Sequence, residues 1–181
     1  MSESKLEIKL SYITGLRDVV FSEIAKNPNF IVVQEDSDND SIYLQFTKEA
    51  LIDTKHLRSV ARAYIVSCNK KYNPSYISSH KSILRDLIDR VIGGERKQFK
   101  SFKFSCAGPD SPEARSIAKH THETYGIPEK EEADLKIHII KLGELWEIGA
   151  QITPRPLSAR SYRAINMSGA MDPTIAYAVN S

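Results

Sequence analysis

The sequence predicts an α+β chain built as two successive units. Three observations predict it. Residues 1–72 alternate strand-like and helix-like apolar spacing in the order β-α-β-β-α-β. Asn73-Pro74 then breaks the pattern. A long helical repeat follows, leading into a strand, a second helix and a closely joined strand pair.

In the first unit, Leu6, Ile8 and Leu10 recur at period two, the mark of a half-buried strand. Thr14 is placed to cap a helix from about Gly15 to Lys26, with Leu16, Val19, Val20, Phe21 and Ile24 along one broad face. Asn27-Pro28-Asn29 stops it, because the residue before proline resists helical backbone angles. FIVVQ from Phe30 reads as a strand, DSDND as an exposed turn, and SIYLQF as the returning hairpin strand. A short helix is expected over Thr47–Leu57, with Thr47 as cap and Ala50, Leu51 and Leu57 facing inward. ARAYIVSCNKKY supplies a fourth strand. The element order is the ferredoxin-like one.

The second unit opens with Tyr76, Ile77, Ile83, Leu84, Leu87, Ile88 and Val91 at helical spacing, ended by Gly93-Gly94. FKSFKFSC alternates Phe99, Phe102 and Phe104 imperfectly but reads as a strand with lysines on the other face. After the AGPDSP turn, Ser111 caps, Pro112 opens and Glu113 occupies the first turn of a helix that runs to Tyr125 and stops at Gly126. DLKIHIIK and LWEIGAQIT form two more strands around a tight Leu142-Gly143-Glu144 turn. The proline-flanked loop TPRPLSARSYR follows, and then IAYAVNS, read as a helix on which the sequence breaks off. No internal repeat or low-complexity tract is present.

Composition narrows the function classes. Hydrophobic residues make up 41% and charged residues 27% of the 181, enough apolar material for a packed core. The longest apolar run, Ile175–Val179, is far short of the roughly 20 residues a transmembrane helix needs. The opening MSESKLEIKL lacks the apolar stretch of a secretion signal. Cys68 and Cys106 are too few for a disulfide framework and read as reduced thiols in small core positions. A soluble, cytoplasmic protein without a membrane partner is expected.

Enzymatic motifs are missing. The sequence has no GxGxxG, no GxxxxGK[ST], no CxxC and no HExxH. His120 and His122, two apart on a helix, point about 200° from one another and cannot share a metal from one face. His138, within KIHII, reads as a hydrogen-bonded residue on a solvent face. No catalytic group, metal ligand or cofactor site is assigned within these residues.

Charge distribution is the better lead. Net charge is only +2, but residues 1–70 carry −1 and residues 71–181 carry +3. Residues 96–119 hold Arg96, Lys97, Lys100, Lys103, Arg115 and Lys119 against Asp110 and Glu113, and Gly149–Met171 holds Arg155, Arg160 and Arg163 with no acid. Arg115 and Lys119 share a helix face near an N-terminus whose free N–H groups favour phosphate. Arginine forks onto phosphates, and Tyr162 offers a ring to an unpaired base. These charges fit either a polyanion site or solvated faces, and the distinction rests on whether they converge in space.

From about Pro74 to Arg163 the chain resembles a THUMP domain, an RNA-binding module of tRNA- and rRNA-modifying enzymes. The resemblance rests on FKFSCAGPDSPEARSIAKHTHETYG and on ADLKIHIIKLGELWEIGAQITPRPLSARSYR, whose end carries Ser158, Arg160, Tyr162 and Arg163. YITGLRDVVFSEI and the later LRSVARAYIV are similar to the ferredoxin-like domain that precedes THUMP in RNA (guanine-N2-)methyltransferases. GAMDPTIAYAVNS resembles the segment leading into their catalytic domain.

This implies a ferredoxin-like domain over residues 1–72, a THUMP domain over 73–165, and over 166–181 a linker or start of a methyltransferase domain. The family's glycine-rich S-adenosylmethionine loop and Asn/Asp-Pro-Pro-aromatic motif are missing. Asp172-Pro173-Thr174 lacks the second proline and the aromatic, and Pro173 more simply opens a helix. The expectation is an N-terminal targeting fragment without catalysis or cofactor of its own, S-adenosylmethionine being bound by a C-terminal methyltransferase domain. A stand-alone adaptor or protein-interaction module serving a separate RNA-modifying enzyme is the alternative. The resemblance implies that RNA, the tRNA acceptor and 3′ end in the first place and rRNA in the second, is held through Lys103, Arg115, Lys119, Arg155, Arg160, Tyr162 and Arg163. Arg160 and Arg163 fit a domain–domain interface as well.

Overall fold

A computed structural model describes residues 5–73, 77–92, 99–106, 108–153, 155, 157 and 172–180. Within it the chain divides into two compact units, one of Glu7–Tyr64 with Arg155–Ser181, the other of Met1–Leu6 with Ile65–Pro154.

The first unit holds β1 (Leu6–Tyr12), α1 (Arg17–Ile24), β2 (Val32–Asp36), β3 (Ser41–Gln45), α2 (Lys48–Thr54), the start of β4 (Val60–Asn69) and the C-terminal helix α5 (Pro173–Val179). Its strand order is β2-β3-β1-β4, and β3 lies antiparallel to both β1 and β2. Ile8, Leu10, Val20, Ile24, Ile42, Leu44 and Ala50 close the core.

Several local expectations shift. Thr14 does not cap α1. Its hydroxyl donates to Asp40, while Gly15 turns the chain at φ 89°, so the helix starts only at Arg17. α1 ends at Ile24 rather than Lys26, because the Lys26 N–H already bonds Glu23 in a tighter turn. β2 begins at Val32, not Phe30. Phe30 is 9% exposed and plugs the core, and a bulge separates the pairings of Val32 and Gln34 with β3. The DSDND turn is a 3₁₀ turn capped by the Asp36 side chain. Thr47 caps α2 as expected, accepting from the Ala50 N–H at 3.0 Å, but the helix stops at Thr54, with Leu57 buried beyond its end.

Charged groups pin this unit's periphery. Arg17 forks onto Glu35 at 2.6 and 2.8 Å and lies over the Phe21 ring. That partner lowers the Glu35 pKa and raises that of Arg17. Asn29 and Asn27 both donate to Asp53, lowering its pKa. Glu23 accepts from the Arg58 and Ser59 amides at 2.8 Å each and from the Ser59 hydroxyl. Asp172 caps α5 through the Thr174 N–H, with Pro173 at the first position, and Asn180 closes the helix.

The second unit holds α3 (Ile77–Ile92), β5 (Phe102–Cys106), α4 (Pro112–Tyr125), β6 (Leu135–Leu142) and β7 (Leu145–Gln151), with strand order β4-β7-β6-β5. β5 is parallel to β6, and β6 antiparallel to β7. Ile83, Leu84, Leu87 and Ile88 of α3 and Ile117 of α4 meet Phe102, Phe104, Leu135, Ile137, Ile139 and Ile148 in the core. Ser111 caps α4 through the Ala114 N–H, and Gly126 closes it at φ 67°, both as the sequence predicts. Gly143 turns the β6–β7 hairpin at φ 57°, the positive angle a tight hairpin asks of its first central residue.

Candidate nucleic-acid interface

β5 alternates over its first three residues. Phe102 and Phe104 are buried, which leaves Lys103 on the opposite face. Past Cys106 the chain turns through Pro109 and Asp110 into α4, whose capped first turn presents Arg115. On the far side of β5 the segment around Glu129 is strapped down by Phe102, whose N–H bonds the Pro128 carbonyl (3.0 Å) while its carbonyl accepts from Lys130 (2.9 Å).

These elements enclose an open cleft of ≈ 520 Å³, lined by Lys103, Cys106, Asp110, Arg115, Glu129 and Glu131 among others. Arg115 and Lys119 border an adjoining cleft of ≈ 330 Å³ with His122. Three of the sequence-predicted residues are therefore neighbours. Arg155 is exposed and belongs to the other unit. Arg160, Tyr162 and Arg163 lie outside the described residues.

The cations of this surface carry internal partners. Arg115 donates to both oxygens of Glu129 at 2.9 and 3.3 Å and to the Pro109 carbonyl at 2.8 Å. Lys103 pairs with Glu131, and Lys119 approaches Glu123 at 3.8 Å. The Glu129 hydrogen bond raises the Arg115 pKa further. Exposed pairs of this kind contribute about 0–1 kcal/mol, so exchanging these carboxylates for another anion would cost little. The acidic run EKEEAD, which in sequence only separates two basic stretches, pairs in space with the first of them, Glu129 with Arg115 and Glu131 with Lys103. Glu129→Gln with Glu131→Gln is expected to tighten binding of a labelled RNA by about tenfold at low salt and to steepen its salt dependence. Unchanged affinity would detach this cleft from RNA.

Cys106 is half-buried at the cleft rather than a core residue. Burial pushes its thiol pKa up and Arg115 opposes the rise only in part, which suppresses the reactive thiolate. His122 lies with Nδ1 2.8 Å from the Ile127 carbonyl, serving as a chain tie. His138 is not on a solvent face. Its side chain is 17% exposed, and Nε2 bonds the wholly buried Glu147 carboxylate at 2.8 Å. Among the described residues no group of three His, Cys, Asp or Glu side chains is placed to hold a metal ion, and no helix is long and apolar enough to cross a membrane.

No family model matches the chain, and no curated protein does. Solved structures do. TrmN from Thermus thermophilus superposes with a TM-score of 0.67 at 19% identity, over 96% of this chain and 53% of that one. A predicted N6-adenine-specific DNA methylase from Listeria monocytogenes str. 4b F2365 gives 0.64 at 18%, over 98% and 48%. A 4-thiouridine synthetase in complex with RNA and ATP gives 0.50 at 9%, over 82% and 41%. The chain thus spans about half the length of each of these or less, and what it shares with all three is the fold.

Proposed function

We propose that the chain is the RNA-binding, substrate-positioning part of an S-adenosylmethionine-dependent RNA guanosine methyltransferase. In this reading residues 1–72 form a ferredoxin-like domain that sets the orientation of a THUMP domain over 73–165. Residues 166–181 lead toward a methyltransferase domain, which would bind the cofactor and perform the chemistry in the cytoplasm. The carrying observation is the shared fold with TrmN over 96% of this chain. The β-α-β-β-α-β order with strand order β2-β3-β1-β4 supports the ferredoxin-like assignment. The convergence of Lys103, Arg115 and Lys119 on adjoining clefts supports a phosphate-binding surface, and the RNA-bound 4-thiouridine synthetase supports RNA as ligand. Arg155, Arg160, Tyr162 and Arg163 complete the proposed set. The favoured substrate is the tRNA acceptor and its single-stranded 3′ end, with rRNA second.

The test compares an intact tRNA, the same tRNA trimmed of its 3′ end, and a plain duplex in a salt titration. Preference for the intact tRNA is expected. Arg115→Ala with Lys119→Ala should weaken binding and lower the salt slope by about two. No RNA binding at moderate salt would refute the reading in favour of a protein-interaction module.

A further inference from the structure

A second surface of the same unit carries a different combination of groups. After β4 the chain makes a 3₁₀ turn over Lys70–Tyr72. Three contacts fix it: the Asn69 side chain accepts from the Lys71 N–H at 2.9 Å, Tyr72 is buried at 4%, and the Tyr72 hydroxyl lies 3.3 Å from that of Ser67. With Tyr72 held inward, Lys70 and Lys71 are left on the outside, both exposed. The turn packs against β7. There Trp146, half-buried and the chain's single tryptophan, stands directly across the hairpin from the exposed Lys141. Lys70, Lys71, Asn73, Lys141, Glu144 and Trp146 line one open cleft of ≈ 480 Å³.

Two features separate this cleft from the one beside α4. Its three lysines make no ion pair among the described residues, whereas Lys103, Arg115 and Lys119 each have a carboxylate partner. It also offers a half-buried aromatic ring beside those lysines, whereas Phe104 and Phe102, which line the clefts beside α4, are buried. Lysines beside an accessible indole are the elements by which proteins hold unpaired nucleotides, the ring stacking on a base and the ammonium groups tracking phosphates.

We propose that the Lys70, Lys71, Lys141 and Trp146 cleft is a binding site for a single-stranded segment of RNA, with one base stacked on Trp146. It deepens the RNA-binding reading by adding a second contact surface, and it rests on that reading.

The single tryptophan makes the test direct. The full 181-residue chain is titrated with an unpaired oligoadenylate of about six nucleotides, a blunt RNA duplex and polyglutamate. Trp146 emission and the anisotropy of labelled RNA are followed together. The unpaired RNA is expected to quench the emission, the duplex and polyglutamate much less. Lys70→Ala, Lys71→Ala and Lys141→Ala combined should lower the salt slope by about two and weaken binding about tenfold at moderate salt. Trp146→Phe should retain most of the affinity and Trp146→Ala lose about fivefold or more, with circular dichroism confirming that each variant is folded.

RNA bound by anisotropy with unchanged emission and an unaffected lysine variant overturns this site and leaves the RNA reading standing. Equal quenching by polyglutamate or by the duplex overturns the stacked, unpaired base. No RNA bound at all overturns the broader reading, and this one with it.

Discussion

Gly149→Ala is expected to destabilise the protein by about 4 kcal/mol, read as a lowered urea midpoint at unchanged slope. A Cβ at that position would stand 2.2 Å from Cε1 and 2.6 Å from Nε2 of His138, and 3.0 Å from Cγ1 of Val66. Gly149 faces His138 across the β6–β7 ladder, and the missing side chain is the space in which the imidazole lies flat enough to reach Glu147. A methyl group there pushes the ring off the carboxylate. Glu147 has no exposure to solvent with which to replace that bond. The crowding and the lost partner are one event, so the costs should not add. His138→Ala combined with Gly149→Ala should be milder than the sum of the two single variants. Strict additivity would show that the clash and the His138–Glu147 hydrogen bond are independent, against the geometry.

Glu23→Ala is expected to cost about 2–4 kcal/mol, more than an ordinary surface substitution. One carboxylate accepts two backbone amides and one hydroxyl from residues 35 and 36 positions away, and Ser59 is wholly buried. Without it, the chain entering β4 has donors facing the end of α1 and no acceptor. Amide hydrogen exchange reads this locally. The Arg58 and Ser59 amides should lose protection in the alanine variant, and Glu23→Gln should restore part of it. Protection that survives in the alanine variant would assign those amides another acceptor.

How much of this was legible in the sequence depended on how local the cause was. α4 could be placed to the residue because Ser111, Pro112 and Gly126 act through their own backbone neighbours. The start of β2 could not, because Phe30 has strand-like chemistry but is taken up by the core. Thr14 looked like a cap until Asp40, 26 residues on, competed for its hydroxyl. The His138–Glu147 pair was within reach. The predicted turn at Gly143 sets Leu142 opposite Leu145 and therefore His138 opposite Gly149, and a glycine facing a histidine is itself a signal. The candidate RNA surface was half legible. The lysines and arginines of residues 96–119 stood out by count, while the carboxylates that pair with them stood out only as an interruption. The Trp146 cleft gave no signal by count, because its lysines come from two segments about 70 residues apart in the chain.

The bulge in β2 has a consequence for handling the protein. β2 ends its strand order; its Val32 and Val33 are 39% and 37% exposed, and Ile31, just before it, is 51% exposed. A regular edge of that composition is a template on which further chains assemble into aggregates. The extra residue interrupts the even row of backbone donors and acceptors, and Glu35 and Asp36 place negative charge at the strand's far end. Deleting Val33 to make a neater strand would create the flat apolar edge that the natural sequence avoids.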